Sequence, residues 1–153
     1  MILVCKFFVT GRPAPQGSKT SLGRGRFKEQ SPYLDAWRND VRAAAEKVRG
    51  EALIDGPIFT RMTFHFPRPK SHYIAGNKER GLKSTAPVFY SSAPDRDKLE
   101  RSTNDALTGV IWVDDARVAG TYSFKLYSCE LSGASIRVYQ LTDDDALKVM
   151  EKN

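Results

Sequence analysis

A chain of 153 residues with 41% hydrophobic and 27% charged residues is long enough for one domain with a real core, and its composition excludes wholesale disorder. A net charge of +6, from 24 basic and 18 acidic residues, points to a polyanionic partner. The two cysteines, Cys5 and Cys129, match no zinc spacing and favour an ordinary reduced protein over a disulfide scaffold.

The first element, "ILVCKFFVT", is β-branched and aromatic with one charge and reads as a buried strand. It is too short for a signal peptide and lacks a basic lead-in, and no later segment has transmembrane length. A cytoplasmic protein with no membrane partner is therefore expected. Arg12, Lys19, Arg24, Arg26 and Lys28 follow without an acid, in a stretch rich in Gly, Pro and Ser. That composition predicts a mobile basic loop over about 10–28. "GRPAPQGSK" is not a phosphate-binding loop, because five residues separate Gly11 from Gly17 and Ser18 precedes Lys19. A stiff arm carrying Arg12 and Lys19 to a nucleic-acid backbone fits better, and a plain surface loop is the alternative.

"SPYLDAWRNDVRAAAEKVRG" predicts a helix, with Ser31 as cap, Pro32 in the first position and Gly50 at the end. Leu34, Trp37, Val41, Ala44 and Val48 recur on one face. Arg38, Arg42 and Arg49 fall on another, which is either solvated or phosphate-facing. "PIFTRMTFHF" alternates, with Ile58, Met62, Phe64 and Phe66 on one side and Arg61, Thr63 and His65 on the other. His65 and His72 are separated by Pro67 and Pro69, which excludes a metal pair on one helix face. No nucleophile–base set supports acyl-transfer hydrolysis. A second mobile basic loop, about 67–92, carries Arg68, Lys70, Lys78, Arg80 and Lys83 against Glu79 alone.

A helix is predicted from Arg96 to Thr108, buried through Leu99, Thr103, Ala106 and Leu107 and stopped by Gly109. "RVAGTYSFKLYS" and "ASIRVYQLT" read as two strands joined in a hairpin at Ser132-Gly133. Thr142 with Asp143 to Asp145 marks a short terminal helix. The order β-α-β-loop-α-β-β implies one α/β (α+β) domain over 1–153, a mixed sheet of about four strands with two main helices on one face.

"PDRDKLERSTNDALTGVIWVDD" sets Asp95 and Asp97 at a helix start and Asp114 and Asp115 beyond its end. Taken alone, Asp97 could be a cap and Asp95 a turn residue. The helix covers about 18 Å, and an extended "GVIWV" could span nearly the same distance back. Asp114 and Asp115 are thus expected beside Asp95 and Asp97. Converging carboxylates need a cation between them, and oxygen donors suit Mg²⁺ or Mn²⁺. A hard metal among basic loops is the arrangement of a phosphodiesterase.

The same stretch, through "DARV", resembles the signature of the RusA family of Holliday-junction resolvases, common in phages and prophages. "FFVTGRPAPQGSK" and "FPRPKSH" resemble phage members as well. The resemblance implies a small α/β homodimer acting on four-way junction DNA in recombination and repair. It also implies Mg²⁺-dependent hydrolysis to 5′-phosphate and 3′-hydroxyl ends. It matches Asp95, Asp97 and Asp115 to the family's essential carboxylates, with Asp114 adjoining. Arg101 stands where many members carry a catalytic lysine, and it can stabilise charge but not give up a proton. Lys98 replaces an Asn and could take part of that role. Asp105, four residues on, is expected as the ion-pair partner of Arg101. Expected DNA contacts are Arg12, Lys19, Arg38, Arg42, Lys70 and Lys98. A metal nuclease of other specificity (flap, nicking or RNA) shares every one of these residues; a non-enzymatic DNA-binding protein would use the acids only as caps and surface charge.

Overall fold

A computed structural model describes residues 1–17, 20–23, 26–28 and 31–150. The chain runs through β1 (Ile2–Thr10), β2 (Thr20–Gly23), β3 (Arg26–Lys28), α1 (Leu34–Glu46), β4 (Ile58–Pro67), α2 (Arg96–Leu107), β5 (Val118–Ser128), β6 (Gly133–Gln140) and α3 (Asp143–Met150). Four strands form one mixed sheet in the order β1-β6-β4-β5, and β2 with β3 makes a separate hairpin. β6 is antiparallel to β1 and β4, whereas β5 is parallel to β4. The mixed sheet with two main helices is the fold class read from the sequence.

Strand periodicity decides which face is buried. Ile58, Met62 and Phe64 of β4 and Ala134, Ile136 and Val138 of β6 point to one side, almost wholly removed from water. Against them pack Trp37, Val41 and Ala45 of α1 and Leu99, Ala106 and Leu107 of α2, in a single apolar cluster. Burying each of the larger side chains among these contributes roughly 1.5–3 kcal/mol. Both helices lie on this face, and among the described residues Lys6, Arg61, Tyr122 and Arg137 on the other face are exposed. No helix among the described residues is long and apolar enough to cross a membrane.

The structure corrects the expectations at four places. β5 and β6 are not a hairpin: β4 lies between them, paired to both. A parallel neighbour needs a crossover, and α2 supplies it between β4 and β5. Gly133 then enters β6 at φ 152°, where a Cβ would stand 1.9 Å from the Val9 carbonyl oxygen. Helix α1 begins at Leu34, capped by Tyr33 without a side-chain bond, and Val48 lies beyond its end. Within the stretch read as a loop, residues 11–17 dock through buried Pro13 and Ala14, and the strands β2 and β3 follow. The 67–92 segment is also structured, through short 3₁₀ turns at Lys70–His72, Ile74–Gly76 and Lys78–Arg80. Backbone bonds from Ile74 N to Gly81 O and from Lys83 N to His72 O tie those turns together.

Candidate active site

Helix α2 is pinned on two sides. The Trp37 indole donates to Thr103 Oγ1 at 3.2 Å, and Ser102 Oγ donates to the Ala14 carbonyl at 2.6 Å. Gln16 N completes the docking on the Lys98 carbonyl at 3.0 Å. These contacts hold Leu99, Ser102, Thr103 and Ala106 inward. Asp97, Arg101 and Asp105 then follow at four-residue steps on the side away from the core. Asp97 and Arg101 are exposed, and among the described residues Arg101 makes no ion pair.

At the N-terminal end, Asp95 occupies the N-cap position but its side chain makes no capping bond. Lys98 Nζ lies 2.9 Å from Asp95 Oδ2. That hydrogen bond and charge, helped by Lys125, hold the Asp95 carboxyl below its usual range. Lys125 reaches in from β5 and donates to the carbonyls of Ser92 at 2.6 Å and Pro94 at 2.8 Å. Burial lowers its pKa, with Asp95 opposing. Asp97 sits in the first turn, where the helix dipole favours an anion.

The other acids gather at the C-terminal end. Leu107 to Trp112 fold into a tight turn: Val110 N and Ile111 N bond the Leu107 carbonyl, and Gly109 N bonds that of Trp112. "GVIWV" is therefore not an extended return, and Asp115 stays near the end of α2. Its carboxylate accepts from Thr108 Oγ1, which in turn accepts from the buried Trp112 indole at 3.1 Å. Asp115 also meets Asp105 side chain to side chain, and burial together with this contact raises the Asp105 pKa. Asp97 and Asp105 are about 12 Å apart along the axis, so within one protomer Asp115 does not join Asp95 and Asp97. Asp114 caps its own turn, accepting from Ala116 N at 2.7 Å.

The partner of Asp105 is not Arg101. It is Arg38 of α1, whose Nη2 lies 2.8 Å from Asp105 Oδ2 and also donates to Gln16 Oε1 at 2.5 Å. Arg38 is thus engaged inside the protein and is not a free DNA contact. Lys98, expected at the DNA, is paired with Asp95. Arg12 lies exposed with its guanidinium 3.9 Å from the Tyr33 ring centre, and Arg42 and Lys70 are exposed. Lys19 lies outside the described residues. Lys125 was missed, although alternation along β5 puts it with buried Ser123 on the helical side. Nothing in the sequence pairs Arg38 with Asp105, since that contact joins two helices.

Asp95 and Asp97 are exposed hard oxygen donors, which suits a cation that keeps its waters and shares phosphate oxygens. Among the described residues, no three of His, Cys, Asp and Glu stand together as a metal group. Asp97, Arg101 and Asp105 share the outer side of α2, with Asp95 at its N-cap and Asp115 beside Asp105 at the other end. A family model described as endodeoxyribonuclease RusA matches residues 10–139, most of the chain. No curated protein matches it.

Proposed function

The chain belongs to the RusA family of endodeoxyribonucleases, and from that premise we propose that it resolves four-way (Holliday) junctions and related branched DNA by phosphodiester hydrolysis. The reaction uses Mg²⁺, or Mn²⁺ in its place, leaves 5′-phosphate and 3′-hydroxyl ends, and serves DNA recombination and repair in the cytoplasm. The observation that carries this reading is the outer side of α2, where exposed Arg101 stands between Asp97 and Asp105 and, among the described residues, makes no ion pair.

Asp95 and Asp97 would hold the cation at the helix N-terminus, with phosphate oxygens and water completing its shell. When bound, the metal supplies Lewis-acid polarisation of the phosphate. The rest is the work of this chain's side chains. Arg101 presents its planar fork to a phosphate lying along the helix. Lys98 and Lys125 neutralise Asp95, so a carboxylate can stand near a polyanion. Asp115, with Asp114 beside it, offers carboxylate oxygens at the far end of the same face and is set there by Thr108. Arg12, Arg42 and Lys70 supply exposed charge for the DNA backbone.

Resolution needs two cuts, and one protomer offers one such face. A two-fold homodimer provides the pair. The outer strand β1 supports a sheet-edge interface for it, since Ile2, Leu3 and Val4 are 60%, 48% and 41% exposed. The test is a panel of end-labelled substrates with Mg²⁺: junction, flap, nicked duplex, linear duplex and RNA duplex. Paired, ligatable nicks in the junction with linear duplex uncut are expected. Faster cutting of flap or RNA would reassign the substrate.

A further inference from the structure

The face of the sheet turned away from the helices carries a pattern that the active site does not use. Lys6 of β1 is paired in register with Arg137 of β6, and Arg137 with Arg61 of β4. All three side chains are exposed and stand in one row, with neighbouring strands about 4.8 Å apart. Like charges directly opposite on a sheet are destabilising. Among the described residues none of the three has an ion-pair partner. The strands β1, β4, β5 and β6 contain no acid at all.

Aromatic rings extend the row. Arg61 lies 5.5 Å from the ring centre of Tyr122, its register partner on β5, and Tyr122 packs on Phe124 at 4.8 Å. Tyr122 is 47% exposed and Phe124 36%. Cations beside exposed rings on a flat sheet suit a chain of phosphates carrying flat bases. They do not suit a second copy of this chain. Any two-fold pairing of this face would set cations against cations, with no acid to answer them.

We propose that this open face binds a single-stranded segment of the DNA substrate. Phosphates lie over Lys6, Arg137 and Arg61, and bases stack on Tyr122 and Phe124. The identity of the polymer rests on the nuclease reading above; the site rests on the sheet. The route to the catalytic face would round β5 at Tyr122 and Ser123, short of Lys125–Tyr127, whose outer edge is bonded to residues 88–90. Ser123, which takes a hydrogen bond from Arg96 of α2 at 2.9 Å, is buried on one side of that strand. Tyr122 and Phe124 are its neighbours on the other. A strand leaving Asp95 and Asp97 would therefore round one edge of the sheet to reach the rings.

The test measures binding of a labelled oligothymidylate and of a linear duplex, in chelator so that no cleavage occurs. The double variant Arg61→Gln/Arg137→Gln should weaken oligothymidylate binding by at least about tenfold and lower the salt slope by about 1.4. Tyr122→Ala should weaken it by about fivefold or more with the slope unchanged. Duplex binding should change less than twofold in either variant, as about expected for a site built on stacking. The melting temperature of the double variant should hold or rise, since an opposed pair of like charges is removed. If the double variant does not fold, Arg137→Gln and Tyr122→Ala carry the test. Unchanged oligothymidylate binding overturns the proposal. So does unchanged binding with an altered subunit count by light scattering, which would make the face a self-interface. Junction cleavage with Mg²⁺, run separately, reports on the nuclease reading whichever way binding falls.

Discussion

Asp105 and Asp115 lie side by side at the C-terminal end of α2, and Arg38 reaches across from α1 to hold Asp105 at 2.8 Å. Two carboxylates in contact repel, so this arrangement persists because the guanidinium and the Thr108 hydroxyl offset it. The cost is visible in Asp105, whose carboxyl is pushed above its usual range by burial and then by Asp115.

Removing Arg38 should expose that cost. Arg38→Ala is expected to destabilise the protein by about 1–2 kcal/mol, as for a half-buried pair losing one partner. The sign with pH follows from the raised Asp105 pKa. The folded state binds the proton more tightly than the unfolded one, so stability falls as pH rises through the window above about 4. The loss should therefore be larger at pH 7 than at pH 5 in paired thermal melts. A loss independent of pH would mean that Arg38 acts by packing alone.

Asp115→Asn relieves the repulsion and keeps an oxygen for Thr108. It should stabilise by about 0.5 kcal/mol after solvent screening, a rise of about 1–2 °C in Tm. Junction cleavage should nevertheless fall by at least about a hundredfold, the scale of losing a catalytic carboxylate. Calorimetry and a cleavage time course on the same sample check the opposed signs.

Thr108 transmits position from the core to Asp115. Trp112→Phe keeps the buried ring but removes the indole donor, at a cost of about 1 kcal/mol. A change in kcat with an unchanged DNA affinity is expected. A fall in affinity alone would place Trp112 outside this relay.

Arg101 lies between Asp97 and Asp105 on α2 and makes no ion pair among the described residues. Arg101→Ala should slow cleavage by about a hundredfold or more while weakening junction binding less than tenfold, the pattern of a transition-state contact. Arg101→Lys should retain partial activity, because charge survives and the fork does not.

Much of this was legible in the sequence. Alternation in "PIFTRMTFHF" identified the buried side of β4 residue by residue, and Gly109, at φ 78°, marked the end of α2. Two things were not. Alternation assigns faces and never partners, so β5 and β6, neighbours in sequence, were joined although β4 separates them. Distance along a loop also sets only an upper limit. "GVIWV" was long enough to return to Asp95, but Ile111 and Trp112 are buried and hold it in a turn at the helix end. The pairing of Arg38 with Asp105 depends on how α1 crosses α2, and no spacing rule within either helix could supply it.

The central claim is that the acids on α2 cut DNA and do not merely shape the surface. Asp97 tests it most directly, because it is exposed, in the first helical turn, and among the described residues makes no ion pair. The measurement is cleavage and binding of a labelled four-way junction in Mg²⁺ by the native protein and by Asp97→Asn. The native protein should nick the junction, and Asp97→Asn should bind it as tightly or more tightly, since a negative charge near phosphate is gone, while leaving it uncut. Cleavage by Asp97→Asn at the native rate would contradict the account.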